Sequence, residues 1–377
     1  MNVMQWQILE SNDLFELRRA GRFLTAELKR PHAVLSTSVR NGGRSDALRY
    51  LVNHQSCEGA AHGERQQLIS SLGQDGYHDA VCAEMEIDAS LVALMGTAAN
   101  MNYASLCQRD AGGIPVTAVV TAGVQGNATC AGDPASFRES DSGWERVANS
   151  GTINTMLFVG HPLTESALAH AVVTMTEAKS AALQRLAVRS IYSQEFATGT
   201  STDQYCVAAP LAGGKPRVST GTGILLGEVI SLAVREATLE ALRWQNGLEP
   251  SMTRSLFSAL KCYGVTEASL LEALPALLDE RGLELLRHNF NSVIYEPAVA
   301  AAAYAMATVL DRLRLGTLPQ SAAHEVLRQQ AAVMASSLAA KPEQLSEFYA
   351  ALEKVDCEEP ARLVFAALAE GWAAKWR

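Results

Sequence analysis

The sequence is short of clustered basic residues. It carries 31 Lys and Arg against 40 Asp and Glu, a formal net charge of −9. No block of like charges breaks that balance, so nucleic-acid binding, which needs grouped Lys and Arg against phosphate, is not expected. Long apolar runs are also missing. The most apolar segment, 297–310 (PAVAAAAYAMATVL), falls short of the roughly 20 residues that cross a bilayer, so no membrane association is expected. The opening residues, MNVMQWQILESNDLFELRR, show no basic stretch leading into an apolar one, and no secretory leader is read there. Cys57, Cys82, Cys107, Cys130, Cys206, Cys262 and Cys357 form no Cys-x-x-Cys pair. Such an odd, dispersed set predicts reduced thiols and a cytoplasmic location. Finally, no GxGxxG-led βαβ unit repeats along the chain, which argues against a dinucleotide fold. Gly221-Thr222-Gly223 precedes a helical pattern and can offer free N–H groups to an anion, but it lacks the Lys-Ser/Thr of a phosphate loop.

What is present is enough apolar material for more than one core. At roughly 150 residues per domain, 377 residues allow two or three domains. Composition changes near Trp244: Gly-, Thr- and Asn-rich turns punctuate short apolar runs before it, and Leu, Ala, Glu and Arg dominate after it. Asn246-Gly247 and Pro250 supply stop and turn chemistry, so the expected domains are 1–245 and 246–377.

The first region mixes strands and helices. Segments 15–18 and 22–28, around Ala20-Gly21, read as a hairpin. Segment 33–39 is a strand ending at Asn41-Gly42-Gly43, and Ser45 is a candidate N-cap for a helix through Asn53. Segments 91–97, 155–159 and 205–209 read as strands. Segments 103–108 and 116–124 flank a Gly-Gly-Ile-Pro turn and read as a second hairpin. Apolar spacing of three and four predicts helices over 163–186, capped by Thr164, and over 223–242. The expected fold is therefore α+β, a layered domain with a mixed or largely antiparallel sheet and packed helices, followed by an all-α domain. Helices are expected there at 251–263, 266–279, 297–314, 321–340, 343–355 and 359–375, with the Ala-rich stripe at 297–310 allowing close helix approach.

Four polar clusters interrupt the apolar strands: Asn41-Gly42-Gly43; 121–128 (TAGVQGNA); Gly151-Thr152-Ile153-Asn154; and 197–203 (ATGTSTD). Small residues at strand ends let a ligand approach the backbone, and Asn offers both a donor and an acceptor to an amide. Singly, each also reads as ordinary turn chemistry. Glu177 and Lys179 flank the apolar stripe of the 163–186 helix and can reach a cleft, a solvated helix face being the plainer alternative. Asp133 and Asp203 sit in turn-like settings where Asx turns explain them, although a carboxylate beside amides can also act as a general base. His54, Cys57 and His62 have no fourth ligand at a familiar zinc spacing, so no metal site is expected. His54 alone remains usable as an acid or base.

The ordered series is more specific than any member. NGG after a strand is followed by LVNHQ, LMGTAAN, VTAGVQGNATCAGDPA, GTINTMLF, LTESALAHAVVTMTEAKSAALQ, ATGTSTDQ and LGEVI. Over about residues 15–240 this series resembles the adenosylcobinamide amidohydrolase family. Similar proteins tend to have a Gly-Lys-His-like segment before the final LGE, where this chain reads Gly221-Thr222-Gly223-Ile224. The resemblance implies hydrolysis of a corrinoid side-chain amide: adenosylcobinamide to adenosylcobyric acid plus aminopropanol, in cobinamide salvage. The alternatives are a non-catalytic corrinoid or metal-chelate binder and an amidase for another amide-bearing chelate. For the hydrolytic task the candidate catalytic residues are Glu177 or Asp203 to activate water and Lys179 or His54 to protonate the amine. Asn41, Gly42, Asn127, Asp133, Asn154, Thr198 and Thr200 are the candidate substrate-binding residues, with the two threonines also available as nucleophiles. The expected partner is a corrinoid small molecule, as substrate or ligand, and no cofactor is expected beyond it. The helical domain is a candidate contact for a homo-oligomer or a partner.

Overall fold

The computed structural model describes residues 4–57, 62–135, 137–140, 143–146 and 152–376. The chain divides into two compact units, 1–248 and 249–377. The first is mixed α and β and the second is helical.

In chain order the first unit runs β1 (Gln7–Ser11), β2 (Phe15–Ala20), β3 (Phe23–Leu28), β4 (His32–Ser36), β5 (Gly43–Ser45), β6 (Tyr50–Gln55), α1 (His62–Glu84), β7 (Val92–Thr97), β8 (Ser105–Asp110) and β9 (Pro115–Gly123). It continues with β10 (Ala128–Thr129), β11 (Phe137–Ser140), β12 (Gly143–Arg146), β13 (Thr152–Val159), α2 (Glu165–Arg185), β14 (Gly199–Thr200), β15 (Gln204–Pro210) and α3 (Leu225–Asn246). A first sheet has the order β1-β2-β3-β6-β7 and a second the order β5-β4-β15-β13-β9-β8. Neighbours are antiparallel except for β6 with β7 and β13 with β15, which are parallel.

The sheets pack face to face and helices cover both outer faces, giving four layers. Between the sheets lie Phe15, Leu17, Leu51 and Met95 from the first and Val119, Met156 and Phe158 from the second. The rings of Phe15 and Phe158 stack with centroids 3.9 Å apart. α1 places Val81 and Cys82 on the outside of the first sheet, against Phe23, Val52 and Val92. α2 and α3 cover the second sheet with Leu168, Met175, Ile230 and Val234. Successive side chains of a strand point to opposite faces, so β13 sends Met156 and Phe158 to the sheet interface and Leu157 and Val159 to the helices. All of its residues are buried. Burial also pushes the Cys206 thiol up to about 12, so it stays protonated at neutral pH.

Both expected hairpins and the 163–186 helix form. Thr164 caps α2, its hydroxyl accepting the Ala167 N–H at 3.2 Å, and Gly247 closes α3 in the left-handed region at φ 63°. The helix expected from Ser45 to Asn53 does not form. Ser45 ends β5, its hydroxyl only accepting the Ala47 N–H at 3.2 Å, and 50–55 is the strand between β3 and β7. Leu51, Val52, Asn53 and His54 are all buried, which a sheet with both faces covered allows and an amphipathic surface helix does not. α1 is a helix that the apolar pattern does not predict, and a non-helical Gly73 at φ 67° interrupts it.

The second unit runs α4 (Pro250–Thr253), α5 (Leu256–Leu260), α6 (Glu267–Ala273), α7 (Glu280–His288), α8 (Phe290–Ile294), α9 (Pro297–Arg314), α10 (Gln320–Ala339), α11 (Leu345–Ala351) and α12 (Pro360–Lys375). Its core includes Leu260, Leu286, Met306, Leu327, Met334, Leu363 and Trp372, and the Trp372 indole donates to the Gly282 carbonyl at 2.9 Å. The expected helix over 251–263 is split where Ser255 starts a new cap, and Gly264 ends that stretch at φ 84°. Pro275 tightens the end of α6 into a 3-10 turn. The region 280–294, for which the sequence pattern predicts no element, holds two helices: Asp279 caps α7 through the Gly282 N–H at 2.7 Å, and α8 follows after Asn289.

Gly371 marks the closest approach of α12 to α10: an added Cβ would lie 2.5 Å from the Ala335 carbonyl oxygen. Helix propensity alone favours Ala over Gly by about 1 kcal/mol. Overpacking outweighs it, and Gly371→Ala is expected to destabilise the unit by about 1–3 kcal/mol, read from urea unfolding of the full chain. A more stable variant would show that the crossing can open at little expense.

Candidate functional site

β7 is the edge strand of the first sheet, so the N–H and C=O groups of Val92, Leu94 and Gly96 point away from β6. Side chains from elsewhere in the unit serve them. The Asn41 amide donates to the Val92 carbonyl at 2.9 Å and also to Ala89 at 2.8 Å. The Leu94 N–H donates to the Ser38 hydroxyl at 2.9 Å. The Gly96 N–H donates to the Gln204 side-chain carbonyl at 2.9 Å, and its carbonyl accepts from the Asn154 amide at 3.1 Å. Asn154 also donates to Asn53 at 2.9 Å, and Asn53 donates to the Thr121 hydroxyl at 2.7 Å. All three residues are buried. This amide relay crosses the interface between the sheets, and it satisfies groups that would otherwise be buried without partners.

The 38–43 loop is shaped for that contact. Asn41 sits in the left-handed region at φ 58°, which Asn tolerates better than most residues. Gly42 is sterically required, because a Cβ there would fall 1.8 Å from the Ser38 carbonyl oxygen. The Ser38 hydroxyl donates to the Arg40 carbonyl at 2.6 Å, closing the turn.

Beside this edge lies a cleft of about 340 Å³. The C-terminal ends of β6 and β7 contribute Ser56, Cys57, Gly96 and Thr97, and the starts of β13 and β15 contribute Thr152, Thr202 and Gln204. Ser38 and Arg40 come from the loop, and Tyr77 and His78 from α1. Five motif segments widely separated in sequence therefore converge on one hollow, although neighbours of the singled-out residues do most of the lining. A second hollow of about 620 Å³ lies at the other end of β9, with Arg30, Arg109 and Asp110 among its walls, and none of the motif clusters reaches it.

On the other face of the second sheet, next to α2, sits an ion pair. Lys179 donates to Asp203, and the two side chains are 13% and 18% exposed. Asp203 also accepts from the Thr200 hydroxyl, from the Thr200 N–H at 3.1 Å and from the Ile153 N–H at 3.1 Å. Gly199 must lack a side chain: a Cβ would lie 2.2 Å from the Asp203 carboxylate and 2.7 Å from the Lys179 ammonium. The cluster adjoins the cleft through Thr202, which bonds Thr152 across the strand ends.

A third assembly holds the loops around β10 and β14. The Asn127 amide donates to the Ser201 hydroxyl at 2.6 Å and accepts from the Tyr192 hydroxyl at 3.0 Å. The Thr198 hydroxyl accepts the Ala131 N–H at 2.9 Å. Asp133 accepts from the Cys130 N–H at 2.6 Å and the Ser190 hydroxyl at 2.5 Å. Burial pushes the Asp133 carboxyl up, but hydrogen bonds from Ser190, Ser193 and the Cys130 N–H outweigh it and hold it below its ordinary value.

The sequence-derived candidates thus separate into groups. Lys179, Asp203 and Thr200 come together, as do Asn127, Asp133 and Thr198 in the neighbouring loops. Asn41, Gly42 and Asn154 brace the β7 edge. His54 is fully buried on the outer face of β6, bonded to the Tyr77 hydroxyl at 2.5 Å and stacked on Phe23. Glu177 is on the exposed face of α2. The His62 side chain and Gly151 lie outside the described residues. Among the described residues no group of three or more His, Cys, Asp and Glu is placed to hold a metal ion. Sequence reasoning missed Asn53, Ser38, Arg40 and Gln204. Asn53 had a signal: strand alternation through LVNHQ puts it on the face opposite His54.

These features define an α+β protein with a hydroxyl-lined cleft at the ends of two packed sheets, and the sequence model matching residues 8–250 is that of an amidohydrolase. The chain belongs to the adenosylcobinamide amidohydrolase family, CbiZ, and the helical region beyond residue 250 lies outside the match. Uncharacterized protein MJ1613 of Methanocaldococcus jannaschii is 33% identical over 183 residues, 46% of this chain and 71% of that protein. Among solved structures, that of the PH0078 protein from Pyrococcus horikoshii OT3 overlaps 64% of this chain and 82% of its own at 12% identity. Its TM-score of 0.28 carries no structural argument. No helix among the described residues is long and apolar enough to cross a membrane.

Two tests follow from this geometry. Asn154→Ala removes the donor serving Asn53 and Gly96 and is expected to cost about 2–4 kcal/mol in urea unfolding. For Asp133, a depressed folded value means that its contribution is complete above the unfolded value of about 3.9 and is lost as pH falls through the folded one. Between about pH 5 and about pH 2, Asp133→Asn is expected to lose less melting temperature than the parent protein. Parallel losses would show that the carboxylate is not linked to stability.

Proposed function

We propose that the chain hydrolyses a corrinoid side-chain amide, converting adenosylcobinamide to adenosylcobyric acid and aminopropanol in cobinamide salvage. The observation that carries this reading is the convergence, on one cleft, of motif segments that all lie within the family match. The corrinoid is the substrate, and the cytoplasm is the compartment that the reduced cysteines favour.

Amide hydrolysis needs a polarised carbonyl, a nucleophile and a proton for the departing amine. The Thr200 hydroxyl, donating to Asp203, is the candidate nucleophile and Lys179 the candidate ammonium, and this group meets the cleft at the strand ends, where Thr202 bonds Thr152. Asp203 accepts from four donors at once, so it acts as a fixed acceptor that orients Thr200 and Lys179. That same saturation favours the second reading, a protein that binds a corrinoid without cleaving it.

Incubation of the purified chain with adenosylcobinamide is expected to yield adenosylcobyric acid and free aminopropanol. Asp203→Asn and Lys179→Ala are expected to lower kcat by about 100-fold or more. Bound but unchanged corrinoid supports the binder. Full turnover by both Asp203→Asn and Glu177→Gln would remove a side-chain carboxylate from the chemistry.

A further inference from the structure

The cleft wall carries a guanidinium whose carboxylate partner, Asp79, stands just outside the lining. Among its described lining residues there is no Asp or Glu, and Arg40 is the permanently charged group. Arg40 stands on the turn already described, where Ser38, Asn41 and Gly42 leave the backbone little freedom. Its guanidinium reaches out to Asp79 on α1, with the two side chains 34% and 57% exposed. An ion pair this open to water is weakly held, so another carboxylate can take the place of Asp79.

Amide hydrolysis creates such a carboxylate. Water adds across the C–N bond, the acyl carbon keeps the oxygen as a carboxylate, and the amine leaves as an ammonium once protonated. The substrate amide is neutral and the retained product group is anionic. We infer that Arg40 is a carboxylate-binding residue that exchanges Asp79 for the acid that hydrolysis forms, making the cleft selective for the acid over the parent amide. A guanidinium offers paired N–H donors to a carboxylate and gains much less from a single amide oxygen. The departing ammonium finds no carboxylate among the described lining residues, and the displaced Asp79, outside the lining and 57% exposed, can pair with it on the way to solvent, so the cleft retains the acid and releases the amine. This inference rests on the proposed reading of the cleft as the corrinoid amide site.

The test is equilibrium binding of adenosylcobyric acid and of adenosylcobinamide to the full chain, followed by corrinoid absorbance. Arg40→Gln is expected to cut the preference for the acid over the amide by about tenfold or more. Asp79→Asn, which removes the competing carboxylate, is expected to raise that preference severalfold, and it carries the test if Arg40→Gln fails to fold by circular dichroism. Binding of both corrinoids with the same preference in all three proteins overturns the role of Arg40 and leaves the amide-site reading standing. Failure of the parent protein to bind either corrinoid overturns both.

Discussion

The first unit depends on how an open strand edge is closed. A free edge offers a row of donors and acceptors that must find partners, and many proteins blunt it with charge, proline or a covering strand. Here side chains close it. Asn41, Ser38, Gln204 and Asn154 meet the outward groups of β7, and all of them come from β13, β15 and the loop after β4. Closing the edge and joining the two sheets are therefore the same set of bonds. The cleft lies beside that seam, so the groups that line it are positioned by the contacts that hold the fold.

Alternation along one strand splits the chemistry in two. Asp203 and Gln204 are adjacent, yet one faces α2 with Lys179 and the other faces Gly96. The ion pair and the cleft consequently lie on opposite faces of the same strand ends, with Thr152 and Thr202 between them. This arrangement sets the charged cluster at the strand ends beside the cleft, while hydroxyls and a guanidinium line the hollow itself.

Much of the fold was legible because local signals agreed with the tertiary result. Thr164 before an apolar period of three and four, and the Gly-Gly-Ile-Pro turn between two β-rich runs, each specify one element without help. Residues 45–53 misled because Ser45 is a good cap and Tyr50 to Asn53 lack strict alternation; burial on both faces erased the strand signature. At the site, the motif segments were legible and the roles were not. Asn41 and Asn154 read as ligand amides, but an asparagine serving a backbone edge has the same sequence signature as one serving a substrate. Only the partner atom distinguishes them, and that partner comes from a distant strand. Asn53 was masked by the neighbouring histidine, whose titratable ring drew the functional reading although it faces the outer core.

The double hold on Gly96 has a mechanical consequence. Its donor is bound by β15 and its acceptor by β13, two parallel strands of the opposing sheet. Sliding one sheet past the other by a single residue, about 3.3 Å, would break both contacts together and bring apolar side chains against bare peptide groups. Shear between the layers is thus opposed by two bonds at once, and the strand-borne walls of the hollow, Gly96, Thr152 and Gln204, keep one register, so a guest meets that side as a single unchanging outline.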